Sequence, residues 1–207
     1  MTTKRKINIL LFLTAFLPLM TGCGGIDGER CIMPTGTTLQ TGDVVFRQGG
    51  GFTSHAVLLA DRHGHYSHSG IVVDSAGVKM IVHAVPGEPD YEGDDDRVKM
   101  DRPEKFFSNE YANAGEVCRP KDSLVAQKAA EYALRAYHRH TLFDHDYDSA
   151  DTTKLYCTEL VVRAFEYGGV QLTGAPTHEF HLPAVNTICW LPSDLHQSPY
   201  LESIVIF

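Results

Sequence analysis

The chain has 207 residues, a formal net charge of −8 at pH 7 and 43% hydrophobic residues. This length and composition fit one globular domain that can bury its own core. The excess of acidic residues argues against nucleic acid as a partner, and it also argues against electrostatic attachment to anionic lipid.

The first 22 residues have the pattern of an export signal. Lys4–Lys6 supply a basic start, Ile7–Leu17 form an apolar run, and small residues precede Cys23. The run is shorter than the ~20 apolar residues that a membrane-spanning helix needs. We therefore predict a signal peptide over residues 1–22 that is cleaved before Cys23, which makes the protein an exported one.

The end of this segment resembles the bacterial lipobox, in which the cysteine after the cleavage site is acylated. The resemblance implies a lipid anchor on Cys23 and a lipoprotein of the bacterial envelope. With Gly24 next in the chain, it also implies the periplasmic face of the outer membrane. An ordinary secretory signal is the alternative interpretation. Residues 23–38, rich in Gly and Thr, are predicted to be a tether, and residues 39–207 the folded domain.

The rest of the chain predicts short strands and amphipathic helices. Asp74–Gly77 supplies turn residues between two apolar runs, which indicates a hairpin. Asp122 is a predicted helix cap, and Gly168–Gly169 a predicted helix stop. The predicted strands cover residues 41–46, 70–73, 79–85, 116–119 and 203–207, the predicted helices 52–60, 122–140 and 157–168, and the predicted loops 86–103 and 144–154. This order predicts an α+β fold with a central antiparallel sheet and packed helices.

Cys157 is the first of two candidate sites of chemistry. It lies where the loop 144–154 passes into an apolar helix. The free backbone N–H groups and the positive dipole at a helix start stabilise a thiolate, and they can also stabilise an oxyanion. A buried apolar cysteine is the alternative interpretation.

Bridges between Cys118 and Cys189, or between Cys31 and Cys189, both remain open, because no C-x-x-C pair fixes the pairing.

His68 is the second candidate, since it stands directly before a buried strand. If the two runs around Asp74–Gly77 pair as a hairpin, His83 comes close to His68 on one face of the sheet. A polar residue in that place can fix the tautomer and orientation of a catalytic base. The alternative interpretation of His83 is a structural histidine at a strand edge.

These segments together resemble a known family. Residues 67–71 (SHSGI) followed by 156–161 (YCTELV) are similar to the circularly permuted papain-like hydrolases of the YiiX and YaeF group, which are relatives of the NlpC-type cell-wall peptidases. Gly42–Phe46, Phe143–Asp144 and Leu191–Leu195 add matches in the same order, so that the resemblance covers about residues 39–196. It implies a permuted papain-like fold with Cys157 as nucleophile and His68 as base.

Two positions depart from that group. Relatives carry Glu where this chain has His83, which implies a Cys-His-His triad with a different orienting residue. They carry Tyr where this chain has Phe143, so a hydroxyl near the oxyanion is missing. We name Tyr147 as its possible replacement, with Asp144 as a second residue of the cleft.

The resemblance implies a cysteine peptidase or amidase that cleaves amide bonds in cell-wall peptides. We predict no cofactor and no metal, because eleven histidines give pairs such as His178 and His181 by chance. Zinc held by Cys157, His68 and His83 is an alternative that would inhibit a thiol enzyme. Two alternatives are an acyl hydrolase or acyltransferase on lipid-like amides and esters, and a catalytically silent lipoprotein that binds peptides or glycans. The sequence leaves the exact substrate and the oligomeric state open.

Overall fold

The computed structural model describes residues 30–62, 64–182 and 185–207. The predicted signal peptide and the predicted lipidation site Cys23 lie outside these ranges. Within them, no helix is both long enough and apolar enough to span a bilayer.

An eight-stranded sheet forms the centre of the fold. Its order is β10-β5-β1-β2-β3-β4-β6-β7, and every neighbouring pair is antiparallel except β6 and β7. A separate antiparallel hairpin joins β8 and β9. The strands are β1 Val44–Gln48, β2 His68–Ser75, β3 Val78–Val85, β4 Arg97–Asp101, β5 Ala114–Pro120, β6 Leu142–Phe143, β7 Lys154–Leu155, β8 His178–Leu182, β9 Val185–Cys189 and β10 Leu201–Ile206.

Local residues explain the start of the longest helix and the end of the helix before Gly169. The Asp122 carboxylate accepts hydrogen bonds from the backbone N–H of Leu124 and of Val125 and so caps the longest helix. Gly169 has φ +87°, a left-handed conformation that stops the helix before it. The helices are α1 Phe52–Ala60, α2 Pro103–Phe106, α3 Ser123–His138, α4 Cys157–Tyr167 and α5 Pro192–His196.

Apolar side chains are buried on both faces of the sheet. Because successive residues of a strand point to opposite faces, Val44 and Phe46 of β1 join the larger core with α3 and α4, while Val45 joins a smaller one with Phe106 and Phe107. The first turn of α4, with Cys157, thereby lies close to the start of β2.

The α+β prediction and the predicted β2–β3 hairpin are confirmed, while several other details differ. Residues 86–103 are not a loop throughout, because residues 97–101 form β4. The β8–β9 hairpin was not predicted, and the β6–β7 pair is parallel. In the segment predicted as a tether, the N–H of Ile32 donates to the Phe107 carbonyl at 2.8 Å, so this part lies against the domain.

Candidate active site

A cavity of about 310 Å³ opens where the ends of several elements meet. A volume of this size is at the lower end of the range for small-molecule sites. Both candidate catalytic residues, Cys157 and His68, line it. The other lining residues come from β1 and the glycine turn after it, from α1, from the end of β3 and the loop beyond it, and from the loops at 110–111 and 143–147.

Cys157 is the first residue of α4, directly after the helix cap Tyr156. The cavity walls desolvate its thiol and raise its pKa above the ordinary value. Hydrogen bonding from Ser69 and from the backbone N–H of Thr158 acts to lower this pKa, as does the charge of Arg47. These effects are weaker than that of burial. The helix start alone predicts a lowered pKa, and here burial is the stronger effect. The resting thiol is therefore neutral.

His68, His83 and Asp101 form a buried hydrogen-bonded chain. Nε2 of His68 lies 2.9 Å from Nδ1 of His83. The other nitrogen of His83, Nε2, lies 3.1 Å from Oδ2 of Asp101. Lys105 completes the chain, with its ammonium group 2.9 Å from Oδ1 of Asp101.

The charges in this chain fix where its protons lie. Burial acts to raise the pKa of Asp101, but the hydrogen bond from His83 and the nearby lysines hold that pKa below its usual range. Burial lowers the pKa of both histidines, and the charge of Arg47 lowers them further. Ionised Asp101 can only accept, so neutral His83 donates from Nε2 and accepts at Nδ1. His68 then donates from Nε2, which leaves its Nδ1 as a free base.

Arg47 lies in the wall of the same cavity, although it belongs to an otherwise apolar strand. One guanidinium nitrogen donates to the Phe106 carbonyl at 3.0 Å, and another pairs with the Glu88 carboxylate. The guanidinium carbon lies 4.6 Å from the centroid of the Phe106 ring. This buried positive charge lines the same cavity as His68 and Cys157, and it favours negative charge on the sulfur.

The two candidate cleft residues have different positions. Tyr147 lines the cavity with φ +52°, a conformation that is strained for tyrosine. Asp144 is buried behind it, and its carboxylate accepts hydrogen bonds from the backbone N–H of Asp146 at 3.0 Å and of Asp148 at 2.6 Å. These two N–H groups flank Tyr147. Asp144 therefore orders the loop that presents Tyr147, and it does not itself line the cavity.

The structure brings Cys157 and His68 to one cavity, but no hydrogen bond joins the thiol to the imidazole ring. The cysteine receives hydrogen bonds from its own helix start and from the start of β2, while His68 is held by His83. Catalytic hydrogen bonds are often loose before substrate binds, so this arrangement is compatible with a nucleophile and a base that close on a substrate between them.

Three residues of the site were not predicted from the sequence: Arg47, Glu88 and Asp101. An arginine inside the apolar run Val44–Gln48 was a usable signal, because a charge is rarely buried without a partner. Glu88 and Asp101 lay inside the predicted loop.

All four cysteines in the described ranges, Cys31, Cys118, Cys157 and Cys189, are free thiols, so neither of the bridges left open by the sequence is present.

Comparisons with known proteins extend this description at the level of the fold. No protein-family model matches the chain, and no curated protein matches it by sequence. Among solved structures, it is similar to the crystal structure described as metalloprotein yiiX from Escherichia coli O157:H7. The TM-score is 0.63 at 19% sequence identity, over 80% of this chain and 96% of that one. The chain therefore has a YiiX-like α+β fold.

Proposed function

We propose that this protein is a cysteine hydrolase of the permuted papain-like type. The observation that carries the proposal is the shared cavity, in which a cysteine at a helix start faces the same space as a histidine whose tautomer is fixed by His83 and Asp101. The YiiX-like fold is consistent with this reading.

The reaction would be acyl transfer from an amide to water. Nδ1 of His68 takes the proton of the Cys157 thiol as the sulfur attacks the carbonyl carbon, and a carbon–sulfur bond forms. The developing oxyanion lies near the free N–H groups of the first turn of α4. Protonated His68 then gives its proton to the leaving amine as the carbon–nitrogen bond breaks. Water, deprotonated by His68, hydrolyses the thioester and releases the acid.

The rest of the cavity favours a peptide with a free amino group. Glu88 and Glu110 place carboxylates along it, and Oε2 of Glu88 is buried without a hydrogen-bond partner in the described structure. An ammonium group would supply that partner. The turn Gly49–Gly51 also lines the cavity. These features suit the cell-wall peptides that the family resemblance implies, in which amide bonds lie next to diamino acids.

Two other functions make different use of the same cavity. Phe52, Val57 and Phe143 give it apolar walls, which suit an acyl hydrolase or acyltransferase on lipid-like amides or esters. A silent lipoprotein would bind peptide or glycan there without turnover. The ordered proton chain behind His68 favours the enzyme, because a binding module gains nothing from a buried histidine pair whose tautomers are fixed.

A metal at this site is a further question, since the solved structure is described as a metalloprotein. Cys157, His68 and His83 are the donors that would have to hold it. Both nitrogens of His83 are already engaged, Nδ1 with His68 and Nε2 with Asp101. A metal could take one only by breaking this chain, so the trio does not fit a metal, and the proposed reaction uses none.

We also propose that the protein is anchored to the envelope membrane through an acylated Cys23. The support is the sequence pattern of residues 1–23. Replacing Cys23 with Ser should move the protein from the membrane fraction to the soluble periplasmic fraction, and unchanged fractionation would contradict the anchor.

The substrate class can be tested directly. The full chain is incubated with peptidoglycan fragments and, separately, with acyl-lipid amides, and the products are identified by mass spectrometry. We expect a new amine and a new acid from the peptide fragments with the wild type and with Cys189→Ala, and none with Cys157→Ala. Products from the lipid amides alone would favour the acyl hydrolase, and binding without products would favour the silent lipoprotein.

A further inference from the structure

A second cluster of reactive side chains lies away from the candidate active site. Glu116 and Cys118 are two residues apart on β5, so both point to the same face of the sheet, and His196 is the last residue of α5. One donor atom from each lies within 4.8 Å of the other two. The cluster joins α5, near the C-terminal end of the chain, to β5, the strand next to the β10 edge of the sheet.

Glu116 is the hub of this cluster, and it is almost completely buried. Its Oε2 lies 2.8 Å from Nε2 of His196 and 2.7 Å from the hydroxyl of Tyr66. Its Oε1 lies 3.4 Å from the sulfur of Cys118. No arginine or lysine pairs with it in the described structure, although a buried carboxylate is costly without a full opposite charge.

The donor types are those of a zinc site, and their spacing is close to what a tetrahedral ion needs. Zinc binds cysteine sulfur at about 2.3 Å, and histidine nitrogen and carboxylate oxygen at about 2.0–2.2 Å, so its ligand atoms lie roughly 3.3–3.6 Å from one another. Cys118 and His196 contact different oxygens of Glu116. The Oε1–sulfur distance of 3.4 Å is in this range, and the Oε2–imidazole distance of 2.8 Å is short of it by about half an ångström. A small rotation of the His196 side chain, which is 34% exposed, would open it.

The surroundings would support such an ion. The His196 ring packs edge-on against Phe46 and Tyr66, at centroid distances of 5.6 and 5.5 Å, which holds the imidazole in orientation. The exposed side of His196 gives the ion an entry path. The fourth position of the tetrahedron can be filled by water or by the hydroxyl of Tyr66.

We propose that Glu116, Cys118 and His196 form a binding site for a zinc-like divalent ion that ties α5 to β5. The site is independent of the proposed hydrolase function. An ion there would neutralise the buried carboxylate and would fix α5 against the sheet. Because the Tyr66 hydroxyl donates to Glu116, the segment just before His68 would be held in place as well.

Cobalt(II) is the probe for the test, because a thiolate ligand gives it a sulfur-to-metal charge-transfer band. The full chain is freed of metal with a chelator and titrated with Co²⁺. We expect about one equivalent to produce the band in the wild type and in Cys157→Ser, and the band to be absent in Cys118→Ser. His196→Ala, which alters a partly exposed side chain, should keep its circular dichroism spectrum and bind Co²⁺ at least about tenfold more weakly.

A second readout is independent of the cobalt spectrum and of any activity. Zinc should raise the melting temperature of the wild type by more than that of His196→Ala at the same zinc concentration, because the variant binds the ion more weakly. The proposal is overturned if the wild type gives no band. It is also overturned if the band is lost in Cys157→Ser and kept in Cys118→Ser, since the ion would then bind at the candidate active site.

Discussion

The carboxylate of Asp101 lies 3.1 Å from Nε2 of His83, on the nitrogen opposite the one that faces His68. His83 is therefore a relay between a buried anion and the proposed base. Neither histidine can change its tautomer without breaking one of these two hydrogen bonds. Asp101 therefore determines, through His83, which nitrogen of His68 carries the free lone pair.

Asp101→Asn should lower activity without removing any group that touches substrate. An amide can donate as well as accept, so it no longer forces His83 to donate from Nε2, and the tautomer that leaves Nδ1 of His68 free is less populated. We expect kcat to fall by roughly ten- to a thousandfold with KM little changed. Asp90→Asn is the matched control, because Asp90 also pairs with Lys105 but does not contact His83. Equal kcat for Asp101→Asn and the wild type would remove Asp101 from the account.

Glu at position 83, the residue of the family resemblance, should be harmful in this chain. It would bring a second carboxylate against Asp101 in a buried place, where like charges repel strongly. We expect His83→Glu to lose roughly 3 kcal/mol of unfolding free energy in urea and most of its activity. Adding Asp101→Asn to His83→Glu should recover a large part of both. A double variant no better than His83→Glu would show that the two side chains do not interact.

The sequence predicted that His83 lies close to His68, but it did not predict Asp101 beside His83. The reason is physical. The turn residues Asp74–Gly77 and the apolar runs on either side specify the β2–β3 hairpin, and the hairpin brings His68 to His83. β4 is short and is flanked by Pro, Gly and a run of Asp, so its composition is that of a loop. It is a strand because it pairs with β3, and this tertiary pairing places Asp101 beside Ile81.

The electrostatics of the site could not be read from local sequence either. A cysteine at a helix start predicts a low thiol pKa, whereas the walls built by distant segments reverse the sign. Arg47 depends on a similar long-range contact, because its partner Glu88 is 41 residues away in the chain. The helix bounds, by contrast, follow from local caps, and the sequence predicted α1, α3 and α4 closely.

The pH dependence follows from the buried histidines. The pKa of His68 in the folded protein is well below 6.5, the value expected in the unfolded chain. The base thus stays neutral as pH falls through 6.5, and kcat/KM should hold there and decline only at lower pH.

Stability should begin to fall at a higher pH than activity does. Below pH 6.5 these histidines become protonated in the unfolded chain but stay neutral in the folded protein. Their contribution to stability is therefore fully present above that pH, and it is lost as pH falls towards the folded pKa. Urea unfolding at a series of pH values checks this. His83→Gln should flatten the loss, and His138→Asn, which alters an exposed residue, should not. For the activity, a fall of kcat/KM centred on pH 6.5 would contradict the prediction that His68 stays neutral there.

Gly70 sets how closely β2 approaches His83. A Cβ atom there would lie 2.8 Å from Cγ2 of Ile81 and 3.2 Å from Cβ of His83. Gly70→Ala should therefore push His83 away from His68, with a loss of roughly 1–3 kcal/mol in unfolding free energy and a lower kcat. Gly174→Ala is the control, since a Cβ there meets nothing within 4 Å and Gly174 does not line the cavity. If the two variants behave alike, the close approach has no role.

The proposed mechanism requires that Cys157 attacks the substrate with His68 as its base. The most direct measurement is acid quenching of the full chain during turnover of a peptidoglycan peptide, followed by mass spectrometry of the digested protein. We predict an added mass equal to the acyl half of the substrate on the peptide that contains Cys157, and no such mass in His68→Ala. Normal product formation with Cys157→Ala, or an acyl adduct on a different residue of the wild type, would contradict the claim.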